Sequence, residues 1–255
     1  MLVYGINPVL EALKARRVTR LRVSARSDKR VEQILALAAT QRVAVERVDQ
    51  PALDRAANRG VHQGVVADVE DARAFTIAEL LEPPFSPAPR SPHLAPLLLV
   101  LDGIEDPHNV GAILRVCDAA GVGGVIRQER HSAALDGVAA KASAGALAHV
   151  RIATVVNIAR AIEELTAANV WTVGLAAEAK DLYTDVDWTL PSSIVLGAEG
   201  TGLRRLVAER CDRLVRIPML GAVGSLNVSV AAGVVLYEVV RQRREKRVSS
   251  SLSEP

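Results

Sequence analysis

Aromatic side chains are scarce in this 255-residue chain, with two Trp, three Tyr and two Phe making up 3% of the total. Few rings are therefore available to stack on nucleobases. Cysteine is rarer still. Cys117 and Cys211 lie far apart with no C-x-x-C, and His62, His93, His108, His131 and His149 show no metal-ligand spacing, which argues against a zinc site. No apolar run approaches the ~20 residues of a membrane helix. The start, MLVYGINPVLEALKARR, lacks the parts of a signal peptide, so a cytoplasmic protein with reduced thiols is expected. Charge of one sign is not in excess either: the net charge of +2 makes no case for nucleic acid by itself, and the position of the cations matters more. No repeat of fixed period is visible, which excludes a solenoid.

What is present is alternation. Residues 1–72 run through NPVLEALKA, RLRVS, DKRVEQILALAATQ, VAVERV, PALDRAAN and GVVADV, the pattern of a small α/β domain. The stretch 73–96 includes EPPFSPAPRSPHLAP, whose six prolines suit a linker. From Leu97 to 247, runs such as LLLVLD, VWTVGLA and SSIVLG alternate with helical patterns, which predicts a mostly parallel sheet covered on both faces. A last helix is expected from about Leu226, apolar at first and basic in RQRREKR. The tail 248–255 has the composition of a disordered segment.

Three segments carry candidate chemistry. In LDGIEDPHNVGAILR a buried strand ends at Asp102 and a helix is expected from about Asn109, the kind of turn where open α/β sheets keep ligand sites. Asn109 is placed either to cap that helix or to serve a site. Val110, Ile113, Leu114 and Cys117 define the helix's core face, which leaves Arg115 pointing away from it. His108 reads as a turn residue and is left out of the site. In SSIVLGAEGTGLRRL a strand runs into three glycines within six residues, with Glu199 among them. The spacing matches neither a dinucleotide fingerprint nor a P-loop. In LVRIPMLGAVGSLNVSVAAG, Ser225 is placed to cap the last helix, and Asn227 is expected to enter a buried helix, where it must find hydrogen-bond partners.

Together these segments resemble the three motifs of the SpoU (TrmH-type) family of RNA ribose 2′-O-methyltransferases, in the SPOUT superfamily. The likeness covers Leu97 to Arg243. GINPVLEAL and HQGVVADV resemble the RNA-binding domain of the branch that methylates a guanosine of 23S ribosomal RNA. The resemblance implies a trefoil knot, a homodimer, S-adenosylmethionine as methyl donor and no metal. It implies cofactor contacts from Leu196, Gly197, Gly202, Ile217, Met219 and Leu226. Asn109, Arg115, Glu199, Ser225 and Asn227 would line the reacting centre.

A guanidinium, with a pKa above ~12, stays protonated. Arg115 is therefore expected to orient the 2′-hydroxyl and stabilise the developing oxyanion, with the proton leaving to water or Glu199. For RNA, the cations Arg16, Arg17, Arg20, Arg22, Arg26, Lys29 and Arg30 cluster with one acid, Asp28, and suit phosphate contacts. RQRREKR is at most a secondary contact. Competing readings are a 2′-O-methyltransferase acting on tRNA or another rRNA nucleotide, and an inactive RNA-binding assembly factor.

Overall fold

The computed structural model describes residues 1–255 apart from 26–28, 59, 71–72, 83–94, 136 and 252–255. The chain divides into two compact units. One comprises Met1–Arg73, Asp106–Arg115 and Ala133–His149, the other Ala74–Glu105, Val116–Ser132 and Val150–Pro255. The first 73 residues supply β1 (Leu2–Tyr4), α1 (Ile6–Lys14), β2 (Val18–Ser24), α2 (Lys29–Thr40), β3 (Ala44–Val48), α3 (Gln50–Ala56) and β4 (Val65–Val69). Their strands form a four-stranded sheet in the order β1-β4-β2-β3, parallel only between β2 and β3. Helix α1 buries Ile6, Val9 and Leu13, the one-face spacing of an amphipathic helix. Its first N–H, from Ile6, is accepted by the Gln63 side chain at 3.1 Å. Buried His62 accepts the Gly64 N–H at Nδ1, so its Nε2 carries the proton donated to Asp54 at 3.0 Å.

The rest of the chain forms β5 (Ala74–Phe75), α4 (Ile77–Leu81), β6 (Leu97–Asp102), α5 (Pro107–Ala120), β7 (Gly124–Gln128), α6 (Gly137–Ala142), β8 (Ile152–Val155) and α7 (Ile158–Ala167). It continues through β9 (Trp171–Leu175), β10 (Asp181–Leu182), β11 (Ser192–Gly197), α8 (Arg205–Arg210), β12 (Arg213–Arg216) and α9 (Val228–Ser251). Helix α5 as far as Arg115, together with α6, belongs to the first unit. The second unit is built on eight strands in the order β10-β12-β9-β11-β6-β7-β8-β5, parallel throughout. All six residues of β6 and the first five of β11 are buried, as expected of central strands covered on both faces.

The expected α/β architecture with a mostly parallel sheet is what the chain adopts. Within the stretch expected to be a linker, residues 74–81 are built into the second unit. Phe75 pairs with Ala153, and Thr76 opens α4 with a reciprocal capping box to Glu79. The carbonyls at the end of α4 are taken by Arg151, which donates to Glu79, Leu80 and Glu82 at 2.9–3.1 Å. Residues 83–94 of that stretch lie outside the described ones, as do 252–255 of the expected tail. Helix α9 runs on through the tail's first four residues. Among the described residues, no helix is long and apolar enough to cross a membrane.

Candidate active site

Because the strands of the second unit are parallel, their carboxyl ends lie along one edge, where open α/β sheets bind ligands. Strand β11 reaches that edge with buried Leu196 and half-buried Gly197. The chain then folds into a tight hairpin: the Ala198 N–H donates to the Gly202 carbonyl at 3.1 Å, and the Gly202 N–H to the Ala198 carbonyl at 2.9 Å. A Cβ at Gly197 would lie 2.1 Å from the Gly202 carbonyl carbon, and Gly202 itself has φ +68°, so both positions require glycine. Glu199 is exposed within this hairpin.

The hairpin's exit is held by a residue that the motifs do not single out. Asp102, 1% exposed at the end of β6, accepts the Arg204 backbone N–H at 2.9 Å and the Arg204 Nε at 2.6 Å, and pairs with its Nη2 as well. The same guanidinium donates to Gln128 Oε1 at 2.6 Å. A signal was available in the sequence: an acid closing an apolar buried strand must find donors.

The loop between β12 and α9 has a different character. Ile217, Met219 and Leu226 are half-buried, whereas Leu220 is 97% and Val223 65% exposed. Nothing lies within 4 Å of where side chains would sit at Gly221 and Gly224. Among the described residues, no backbone N–H from Ile217 to Leu226 donates to another backbone carbonyl. Backbone N–H groups open to solvent or to a ligand, beside half-buried apolar side chains, suit a ligand with both apolar and polar faces.

Two capping assignments change. Asp106, not Asn109, caps α5: its carbonyl accepts the Val110 N–H at 3.0 Å, its carboxylate accepts the His108 N–H at 2.9 Å, and Pro107 takes the first helical position. Asn109 therefore sits in the first turn, 8% exposed. Val110, Ile113, Leu114 and Cys117 are all buried and Arg115 is exposed, as their periodicity requires. Similarly, Asn227 and not Ser225 caps α9. Its carbonyl accepts from Ala231 at 2.9 Å, and its Oδ1 accepts from the Ser229 N–H and hydroxyl at 2.9 and 2.6 Å. Asn227 and Ser225 are both exposed, so the expectation of a buried asparagine fails. The apolar helix begins one residue later, at buried Val228. Asn109 and Arg115 belong to the first unit; Glu199, Ser225, Asn227 and the six expected cofactor residues belong to the second.

Folding also changes the charge environment of the expected RNA-binding cations. Arg20 pairs with Glu46 at 2.6 Å, Arg22 pairs with Asp68, and Arg17 donates to the Glu70 carbonyl. These partners come from β3, β4 and the residue after it, which linear proximity to Asp28 did not reveal. Arg16, Lys29 and Arg30 are exposed; Arg26 lies outside the described residues. In RQRREKR, Arg241 pairs with Glu238 and Glu245, while Arg243 serves four main-chain carbonyls. Burial raises the pKa of both thiols, that of Cys211 to about 12, which removes them as nucleophiles. Among the described residues no group of three His, Cys, Asp or Glu could hold a metal.

Comparison with known proteins agrees with this geometry. Residues 96–237 match the SpoU rRNA Methylase family, and residues 2–75 match the RNA 2′-O ribose methyltransferase substrate binding domain. The 23S rRNA (guanosine-2′-O-)-methyltransferase RlmB of Pseudomonas putida is 45% identical over 251 residues, covering 96% of this chain and 98% of its own. The SpoU methyltransferase AviRb of Streptomyces viridochromogenes, solved with AdoMet, superposes with a TM-score of 0.78 at 26% identity, covering 96% of this chain and 91% of that one. The TrmH/SpoU tRNA modifying enzyme of A. aeolicus covers only 60% of this chain and 78% of its own, with a TM-score of 0.55 at 33% identity. With a family match across the parallel sheet and its glycine hairpin, and a substrate-binding match before it, the chain belongs to the SpoU rRNA methylase family.

Proposed function

We propose that the chain transfers a methyl group from S-adenosylmethionine to the ribose 2′-oxygen of a guanosine in 23S ribosomal RNA. The observation that carries this reading is the 45% identity to the P. putida enzyme across 96% of the chain, residues 2–75 included. The likeness to the tRNA modifying enzyme covers far less of the chain, which favours ribosomal RNA.

The glycine hairpin and the loop after β12 fit the methyl donor: an adenosyl group needs apolar flanks and backbone partners along its polar edge, and these loops carry both. Leu196, Gly197, Gly202, Ile217, Met219 and Leu226 would hold it. When bound, the donor supplies a sulfonium methyl carbon open to in-line attack. Arg115 orients the ribose hydroxyl and neutralises charge that develops on its oxygen, and Glu199 or water receives the proton. Asn109, Ser225 and Asn227 complete the reacting centre. Exposed Arg16, Lys29 and Arg30 bind phosphates, with Arg17, Arg20 and Arg22 exchanging their intramolecular partners for RNA. The same reading includes a homodimer, a trefoil knot in the C-terminal half and action in the cytoplasm.

The test is incubation with labelled S-adenosylmethionine and undermodified 23S RNA, followed by mapping of ribose methylation. Label at one guanosine supports the proposal. Label only in tRNA would transfer the substrate to the competing reading, and none in any RNA would leave a binding protein. Within the active enzyme, Arg115→Lys should retain part of the rate that Arg115→Ala loses. Equal loss in both, with RNA and donor still bound, would assign the role to the planar guanidinium fork and not to its charge.

A further inference from the structure

The hairpin after β11 is pinned at both ends by one residue. At its entry, the register of the sheet sets Gly197 beside Asp102. At its exit, the Asp102 carboxylate holds both the backbone N–H and the guanidinium of Arg204. Gln128, at the end of β7, accepts from the same guanidinium and donates through Nε2 to the Val156 carbonyl at 3.2 Å. One chain of polar contacts thus runs from the end of β6 through the loop exit and the end of β7 to the segment after β8.

A carboxylate this deeply buried gains little net stability over an apolar side chain of the same size. What it supplies is geometry: its two oxygens take a main-chain and a side-chain donor from the same residue, so the direction in which the chain leaves the hairpin is set. We infer that Asp102 is a positioning residue for donor binding, acting through Arg204 to fix the hairpin from Ala198 to Gly202 against the carboxyl edge of the sheet. The inference rests on the reading of that hairpin as a cofactor loop. Asp102 does not touch the donor; it removes the freedom the loop would otherwise lose on binding.

The experiment compares wild type, Asp102→Asn and Arg204→Lys by calorimetric titration with S-adenosylmethionine alone, by hydrogen exchange of residues 198–203, and by steady-state kinetics. Asparagine keeps the shape but offers one acceptor where two are needed, and lysine keeps the charge but loses the fork. Folded Asp102→Asn should bind the donor roughly tenfold or more weakly, the scale of a lost charge-assisted hydrogen bond, with faster exchange in the hairpin. The loss should fall chiefly on KM for the donor, with KM for RNA changed far less. Arg204→Lys should fall between the two, and it decides the matter if Asp102→Asn does not fold. Unchanged donor affinity in either folded variant overturns the inference. If donor fails to slow exchange of residues 198–203 in wild type, the cofactor-loop reading itself fails, an outcome distinct from loss of the positioning role.

Discussion

Arg243, near the end of α9, donates from Nη1 to the carbonyl of Ala95 at 2.7 Å, joining residues 148 positions apart. The same side chain donates to the carbonyls of Trp188, Leu190 and Pro96. Burial lowers its pKa to about 10, still far above neutrality, so it remains a cation whose partners are all neutral oxygens. Arg243→Ala strands these carbonyls and should cost about 2–4 kcal/mol in a urea titration, with Arg243→Lys recovering part of it. Donor affinity should not change in either variant.

Asn227 permits its capping role to be separated from any role in the reaction. Aspartate caps as well as asparagine, whereas alanine costs about 1 kcal/mol. Asn227→Asp should therefore keep the melting temperature of wild type, and Asn227→Ala should lower it. Methyl transfer should fall in both by more than the stability change accounts for. Full activity in Asn227→Asp would reduce the residue to a cap.

Gly111 lies inside α5, where alanine would normally be worth about 1 kcal/mol of helix propensity. Here a Cβ would stand 2.4 Å from the Cβ of Ala142 and 2.6 Å from the Ala139 carbonyl on α6. Overpacking of this kind costs about 1–3 kcal/mol. Gly111→Ala should be net destabilising by chemical denaturation, the reverse of its effect on an exposed helix.

On α9, hydrogen bonds from Arg241, and then from Gln242, hold the Glu238 carboxyl below its ordinary pKa against the opposing effect of burial. A depressed carboxylate stabilises the fold above its unfolded pKa, and that contribution disappears as pH falls through the folded value. Thermal melts of wild type and Glu238→Gln should differ at neutral pH and converge below about pH 4.3, the ordinary glutamate value. A constant difference down to pH 3 would show that the charge contributes nothing.

The parallel sheet, the core face of α5 and the glycine hairpin were legible because each is a local pattern: a buried apolar run, a 3.6-residue period, three glycines after a strand. Cap positions were harder because DPHN and SLN each offer two capping residues. Pro107 resolves the first in favour of Asp106, since proline prefers the position just after the cap. The β5–α4 segment lies in the proline-rich stretch that reads as a linker, although Thr76 and Glu79 spell a capping box. The pairings of Arg20, Arg22, Asp102 and Arg243 could not be read at all, because each joins residues that only the folded topology makes neighbours.

The central place of β11 also has a consequence in time. Leu97 pairs with Ser192, made 95 positions later, so β6 leaves the ribosome long before the strand that completes its other side exists. Until then the middle of the sheet presents an open apolar edge, a non-local closure of the kind that slows folding and exposes chains to aggregation. Synthesis of this protein should therefore lean on chaperones more than its size suggests, and truncation before β11 should yield insoluble chains.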